Sequence, residues 1–267
     1  MKIVTLIENI ANEPSLFAEH GLSLYIDTGE KKILFDTGQS DMFIQNAQKL
    51  GIDVSEVDVL VLSHGHFDHT GGLYSFLEMN KKARVYAKKE IFTSKYKDKT
   101  HFIGTVKNES ALSDRMIFVK TITEVAPDVF ILPNIELHHD IDTNFTHLYT
   151  KEGNSYFPDK FDDELFLVIQ KNKQINLITA CSHRGITNIC TTASNYFKLP
   201  VNLILGGFHM KYCGVEQYRH IIQYLGTIQP KLIGICHCTG IERFSEMIRE
   251  FNSKVFYNFT GNEINIK

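Results

Sequence analysis

The chain of 267 residues has no tryptophan, only six prolines and an odd number of cysteines. Cys181, Cys190, Cys213, Cys236 and Cys238 all lie in the second half and make no paired framework. That excludes a disulfide-stapled secreted scaffold and points to a reducing compartment. No apolar stretch approaches the roughly 18 residues of a membrane span. The opening MKIVTLIENIANE carries a short apolar run, but Glu8 and Asn9 interrupt it and no small-residue cleavage site follows, so it reads as a first strand. A cytoplasmic protein with no membrane partner is expected. Charge of one sign is scarce as well: the formal net charge is -3 and the pI about 6.5. There is no electrostatic footprint for nucleic acid, and the lysines at 81–89 and 95–99 read as solvated faces.

What is present is an ordinary globular composition, 43% hydrophobic and 22% charged, with 19 Phe and 11 Tyr supplying the aromatic bulk. The length suffices for a substantial core, and nothing in the pattern forces a split, so one domain over 1–267 is expected. Strands are predicted at 3–7, 22–26 and 32–35, the last two joined by the turn Asp27-Thr-Gly-Glu30. A helix is predicted from Asp41 to Leu50, closed by Gly51. The second half alternates strands at 165–170, 175–179, 201–205 and 232–235 with helices at 185–197 and 215–225. Helices that each bury an apolar stripe on a sheet give an α/β (α+β) chain with two sheets and outer helices. Between 90 and 162 the pattern weakens, and this irregular stretch is expected to act as a lid, with Phe102, Tyr149, Tyr156 and Phe157 as contacts.

The chemistry is concentrated at Val57 to Gly72, VDVLVLSHGHFDHTGG. A short Val-rich run reads as a buried strand, and its carboxyl end delivers His64, His66, Asp68 and His69. Residues two apart in extended chain point the same way, so His64 and His66 converge on one ion. Asp68 and His69 follow where the chain turns into a helix, displaced toward a second ion. Imidazole and carboxylate suit zinc, iron or manganese. Cys236-His237-Cys238 has the wrong spacing for a closed structural zinc site. Three further histidines, His183, His209 and His237, each stand just past an apolar strand, whereas His101, His138, His139, His147 and His220 lack that context.

The run His64-Gly-His66-Phe-Asp68-His69 resembles the HxHxDH signature of the metallo-β-lactamase superfamily. Ile33-Leu-Phe-Asp36-Thr-Gly38 upstream is similar to the strand and turn that precede that signature. With His20-Gly-Leu-Ser23, the Asp162-Asp163 pair and the segments around His183, His209 and His237, the chain looks like the branch of the dihydropterin ribofuranosyl-aminobenzene phosphate synthases. The resemblance spans essentially the whole chain.

It implies a four-layer αββα sandwich and a binuclear centre of two divalent ions, most simply zinc, with iron or manganese also suited. His64, His66 and His183 would hold one ion, and Asp68, His69 and His237 the other. His209 would stand near the site as a catalytic group beside Asp68, Asp36 would support a ligand without binding metal, and His20 would reach the site's edge. Cys181 is a departure, because the superfamily commonly carries a bridging Asp there. The expected activity is hydrolysis of a small ester, phosphorylated or cyclic, by a metal-activated hydroxide. The alternatives are a redox di-iron protein, for which too little chain remains after Gly240 to form a flavin domain, and a non-catalytic metal or ligand sensor.

Overall fold

The computed structural model describes residues 1–266. Its strands in chain order are β1 (Lys2–Ile7), β2 (Ser23–Asp27), β3 (Lys32–Phe35), β4 (Val59–Val61), β5 (Arg84–Ala87), β6 (Lys95–Lys97), β7 (His101–Phe102) and β8 (Met116–Phe118). There follow β9 (Thr123–Ala126), β10 (Val129–Leu132), β11 (Leu148–Glu152), β12 (Ser155–Pro158), β13 (Phe166–Lys171) and β14 (Gln174–Ile178). The last are β15 (Val201–Gly206), β16 (Leu232–Ile235), β17 (Val255–Tyr257) and β18 (Glu263–Asn265). The helices are α1 (Met42–Lys49), α2 (Phe67–Thr70), α3 (Leu73–Met79), α4 (Glu109–Leu112), α5 (Ile186–Phe197), α6 (Val215–Ile228) and α7 (Ile241–Phe251).

Contacts divide the described residues into two compact units: 1–120, 145–163 and 259–266 in the first, 121–144 and 164–258 in the second. In the first, a seven-stranded sheet runs β18-β1-β2-β3-β4-β5-β8. Its early strands pair antiparallel, as the turn at Asp27 predicts, and β3, β4, β5 and β8 run parallel. One face carries Val4, Leu6, Leu34, Leu60, Leu62 and Val85, which pack with Phe43 of α1 and Phe76 of α3. Burying each such phenylalanine is worth about 1.5–3 kcal/mol. Ile3, Leu24, Ile26, Ile33, Phe35, Val59 and Val61, which alternate with these residues, are buried too. That burial on both faces explains why the strands read as near-continuous apolar runs.

The second unit repeats the plan with a seven-stranded sheet, β17-β16-β15-β14-β13-β10-β9, parallel from β14 to β17 and antiparallel from β9 to β14. Its core joins Phe166, Val168, Leu177, Ile204 and Ile233 to Ile189 of α5, Leu225 of α6 and Met247 of α7.

The weakly patterned stretch from 90 to 162 holds strands as well. β12-β11-β6-β7 make a small antiparallel sheet, β8 extends the first large sheet, and β9 and β10 extend the second. Strands of two to five residues are too short to show a period in sequence. In the parallel half of each large sheet, the residues of chemical interest follow the carboxyl ends of strands, where open α/β sheets place their ligands.

Candidate metal centre

In the first unit, β3 ends at Phe35 and Asp36 takes a left-handed conformation, φ 61°. That backbone is strained for a residue other than glycine, by about 1–3 kcal/mol, and it turns the carboxylate inward. Asp36 is fully buried and its carboxylate is met by donors: Oδ1 accepts from Ser63 N at 2.7 Å, and Oδ2 from Ser63 Oγ at 2.6 Å and His69 Nδ1 at 2.8 Å. The Ser63 hydroxyl has one proton and gives it to Asp36. The contact of 2.9 Å between Ser63 Oγ and His64 Nδ1 is therefore donated by the ring. Both His64 and His69 are thus fixed as Nδ1–H tautomers, and their Nε2 lone pairs are left for a metal.

His64 Nε2 faces His66 Nδ1 at 3.2 Å, and the His64 ring lies 4.4 Å from that of His69, centroid to centroid. Burial, and then the neighbouring His69 and His66, push the His64 pKa well below its ordinary value. It is a neutral ring, the form that binds metal. Asp68 Oδ2 lies 3.8 Å from His69 Nε2 and 3.2 Å from His20 Nε2. Glycine is required between the two histidines, because a Cβ on Gly65 would run into the carbonyl oxygen of Ile91. The four residues of the motif and Asp36 lie together, with His20 beside Asp68. A short helix, α2, takes Asp68 and His69 into its first turn ahead of α3.

In the second unit the side chains follow β14, β15 and β16. Cys181 and His183 are buried, His237 is buried, and His209 is half-buried. Ser182, His209 and His237 all take left-handed φ, at 56°, 48° and 50°. The His183 and Arg184 amides donate to Glu164 Oε1 and Oε2, both at 2.7 Å. The rings of His183 and His209 lie 4.3 Å apart. Ligand atoms of Cys181, His183 and His209 fall within 4.8 Å of one another, as do those of Cys181, His237 and Cys238. Burial alone would raise the Cys238 thiol, but hydrogen bonds from Cys181 and His209 and the charges of His209 and His237 take it well below its ordinary value. Cys238 and Glu164 are among the residues sequence reasoning missed. A Cys beside a strand-end His signals the first, and no local pattern signals the second. His138 and His147 pair with Glu136 and Asp98 at the surface, and the rings of His139 and His220 lie 4.9 Å apart.

A motif of buried imidazoles on an apolar strand end is matched by comparison. Residues 17–157 fit the model of the metallo-beta-lactamase superfamily. The chain belongs to the metallo-β-lactamase superfamily. Within it, the chain is 31% identical over 271 residues to the 7,8-dihydropterin-6-methyl-4-(beta-D-ribofuranosyl)-aminobenzene-5'-phosphate synthase of Methanocaldococcus jannaschii, covering 94% of this chain and 92% of that protein. This is the branch its motifs resemble. The crystal structure of Tm1679, a metal-dependent hydrolase of the beta-lactamase superfamily, superposes with a TM-score of 0.88 at 29% identity over 100% of this chain and 99% of that one. Zn(2+)-bound PqqB from Methylobacterium extorquens has a TM-score of 0.62 at 11% identity over the full length of both chains, a likeness of fold alone.

The metallo-β-lactamase fold expected from the sequence is therefore the fold of this chain. Membership makes it a hydrolase-like protein of a metal-binding superfamily. Its own residues fit such an ion: the ring tautomers are set by Asp36 and Ser63, and the donors are nitrogen and oxygen of the kind that zinc takes. Among the described residues no helix is long and apolar enough to cross a membrane.

Proposed function

We propose that this chain is a metal-dependent hydrolase that takes two divalent ions, zinc in the first instance, and cleaves a small phosphorylated or cyclic ester. The metal ligands assigned are His64, His66, Asp68 and His69 in the first unit and His183 and His237 in the second. The observation that carries the reading is the tautomer lock: Asp36 and Ser63 hold protons on the Nδ1 atoms of His69 and His64, which leaves Nε2 as a donor on both rings. A bound divalent ion supplies Lewis acidity and lowers the pKa of water toward neutrality.

The protein's part is to hold its groups in place. Asp36 keeps the His69 proton, so this ring orients and does not transfer one. His20 sits on Asp68 Oδ2 and limits that carboxylate's rotation. His209, left half-exposed beside His183, is assigned to hydrogen-bond the substrate. Cys181 and Cys238 add sulfur near His237, a softer donor set than the first unit offers.

A synthase reading is favoured by the 31% identity to the M. jannaschii enzyme over most of both chains. The test is turnover by zinc-loaded protein against a panel of phosphodiesters, phosphomonoesters and lactones, with the dihydropterin-type phosphate product of that relative assayed alongside. Release of alcohol or phosphate that vanishes on chelation and returns with zinc supports the hydrolase. Metal-dependent formation of the dihydropterin phosphate without ester cleavage would replace it with the synthase, and neither reaction, with a ligand bound tightly, would leave a sensor.

A further inference from the structure

The first unit buries a lysine. Lys95 on β6 is only 1% exposed, although it lies in a lysine-rich run that reads as surface. Its Nζ lies 2.5 Å from Asp159 Oδ2 and 2.9 Å from Asp163 Oδ1. Burial by itself would lower the Lys95 pKa, but the carboxylates of Asp163 and Asp159 outweigh it and hold the ammonium charged. The other oxygen of Asp163 accepts the Gly65 amide at 2.6 Å. Gly65 is the residue between His64 and His66. Phe161, whose amide donates to Asp159 Oδ1 at 2.8 Å, presents its ring to Lys95 Nζ at 4.7 Å and meets the His66 ring edge-on at 5.3 Å.

Stability alone does not account for such a group. Three buried charges lose hydration, and well-packed apolar residues of the same volume serve as well or better. What the network supplies is direction. Asp163 is bonded at both oxygens, one clamped by the ammonium and the other aimed at the backbone between the two histidines. Without Lys95, the two carboxylates repel or take up a proton, and the acceptor on Gly65 swings free.

We propose that Lys95 is a positioning residue: held by Asp159 and Asp163, it fixes the Asp163 carboxylate on the Gly65 amide and thereby sets the angle at which His64 and His66 present their ring nitrogens. This rests on the metal reading of those histidines. Backbone bonds also tie the small antiparallel sheet to the ligand loop: Phe67 N donates to Ile103 O and Ile103 N to Lys95 O, both at 2.9 Å.

The experiment is a cobalt(II) titration of the metal-free full chain, followed by visible absorption, for the parent, Lys95→Met and the double variant Lys95→Met/Asp159→Asn. The double variant removes one charge of each sign and so keeps the group's net charge, which protects folding where the single variant fails. Expected is a loss of cobalt affinity of about tenfold or more with shifted ligand-field bands at saturation in every variant that folds by circular dichroism. A folded variant with the parent's bands, or with affinity reduced less than fivefold, overturns the proposal and leaves Lys95 a structural residue. Failure of both variants to fold assigns Lys95 to stability and overturns it as well. A parent that takes up no cobalt overturns the metal reading itself, and this inference with it.

Discussion

The two units present metal-binding side chains in different ways. In the first, acids act on the ligands' rings and flanking amide: Asp36 on His69 and on Ser63, Ser63 on His64, and Asp163 on Gly65. One residue, Asp36, carries the left-handed strain at that strand end. In the second, support reaches the backbone: Glu164 takes the amides of His183 and Arg184, and three residues, Ser182, His209 and His237, carry the strain. The first set is nitrogen and oxygen, while the second adds the sulfur of Cys181 and Cys238. Ring orientation fixed by a carboxylate gives a stiff, hard-donor set. The strained turns of the second unit present a softer donor set.

Asp36→Ala should break the first set hardest. It removes the acceptor of the Ser63 amide, the Ser63 hydroxyl and His69, with an expected loss of about 3–5 kcal/mol in urea melts and about 10–100-fold in zinc affinity. Glu164→Gln is the counterpart in the second unit. One amide keeps an acceptor and the other meets an NH2 group, for about 2 kcal/mol of stability and less than about tenfold in zinc affinity. Equal or reversed metal effects would break the contrast.

A pH titration sharpens it. Burial pushes the Asp142 carboxyl up to about 6, against the pull of the Thr187 amide and hydroxyl that donate to it. The folded chain therefore holds this proton more tightly than the unfolded one, and stability falls as pH rises from about 4 to about 6, then levels. Asp142→Asn should abolish that fall, on the order of 2 kcal/mol, and chemical melts at pH 4.5 and 7 would read it. The smallest effect belongs to Cys238→Ser: stability within about 1 kcal/mol, and a few-fold loss of cadmium over zinc preference by competition.

Much of this was legible in sequence where one strand carried the information. The run 57–69 shows a buried strand and its ligands because burial on both faces makes an apolar run and the ligands follow at fixed spacing. Asp36 was legible only through the resemblance of its strand and turn to those of the superfamily. Lys95 was not, because its partners lie 64 and 68 residues away and its neighbours are surface lysines. Glu164 was hidden for a related reason: it acts on amides, which carry no sequence signal. The strands between 95 and 158 were missed because their own two to five residues show no alternation, and the pairing that joins the two hairpins, β6 with β11, lies some fifty residues apart in sequence.

Elemental analysis of the chain purified without added metal tests the central claim most directly. Two equivalents of zinc, iron or manganese per chain, falling to at most one in Asp36→Ala, is the result expected of ligands oriented by that carboxylate. Less than a tenth of an equivalent in the parent, unchanged after incubation with zinc, would contradict it.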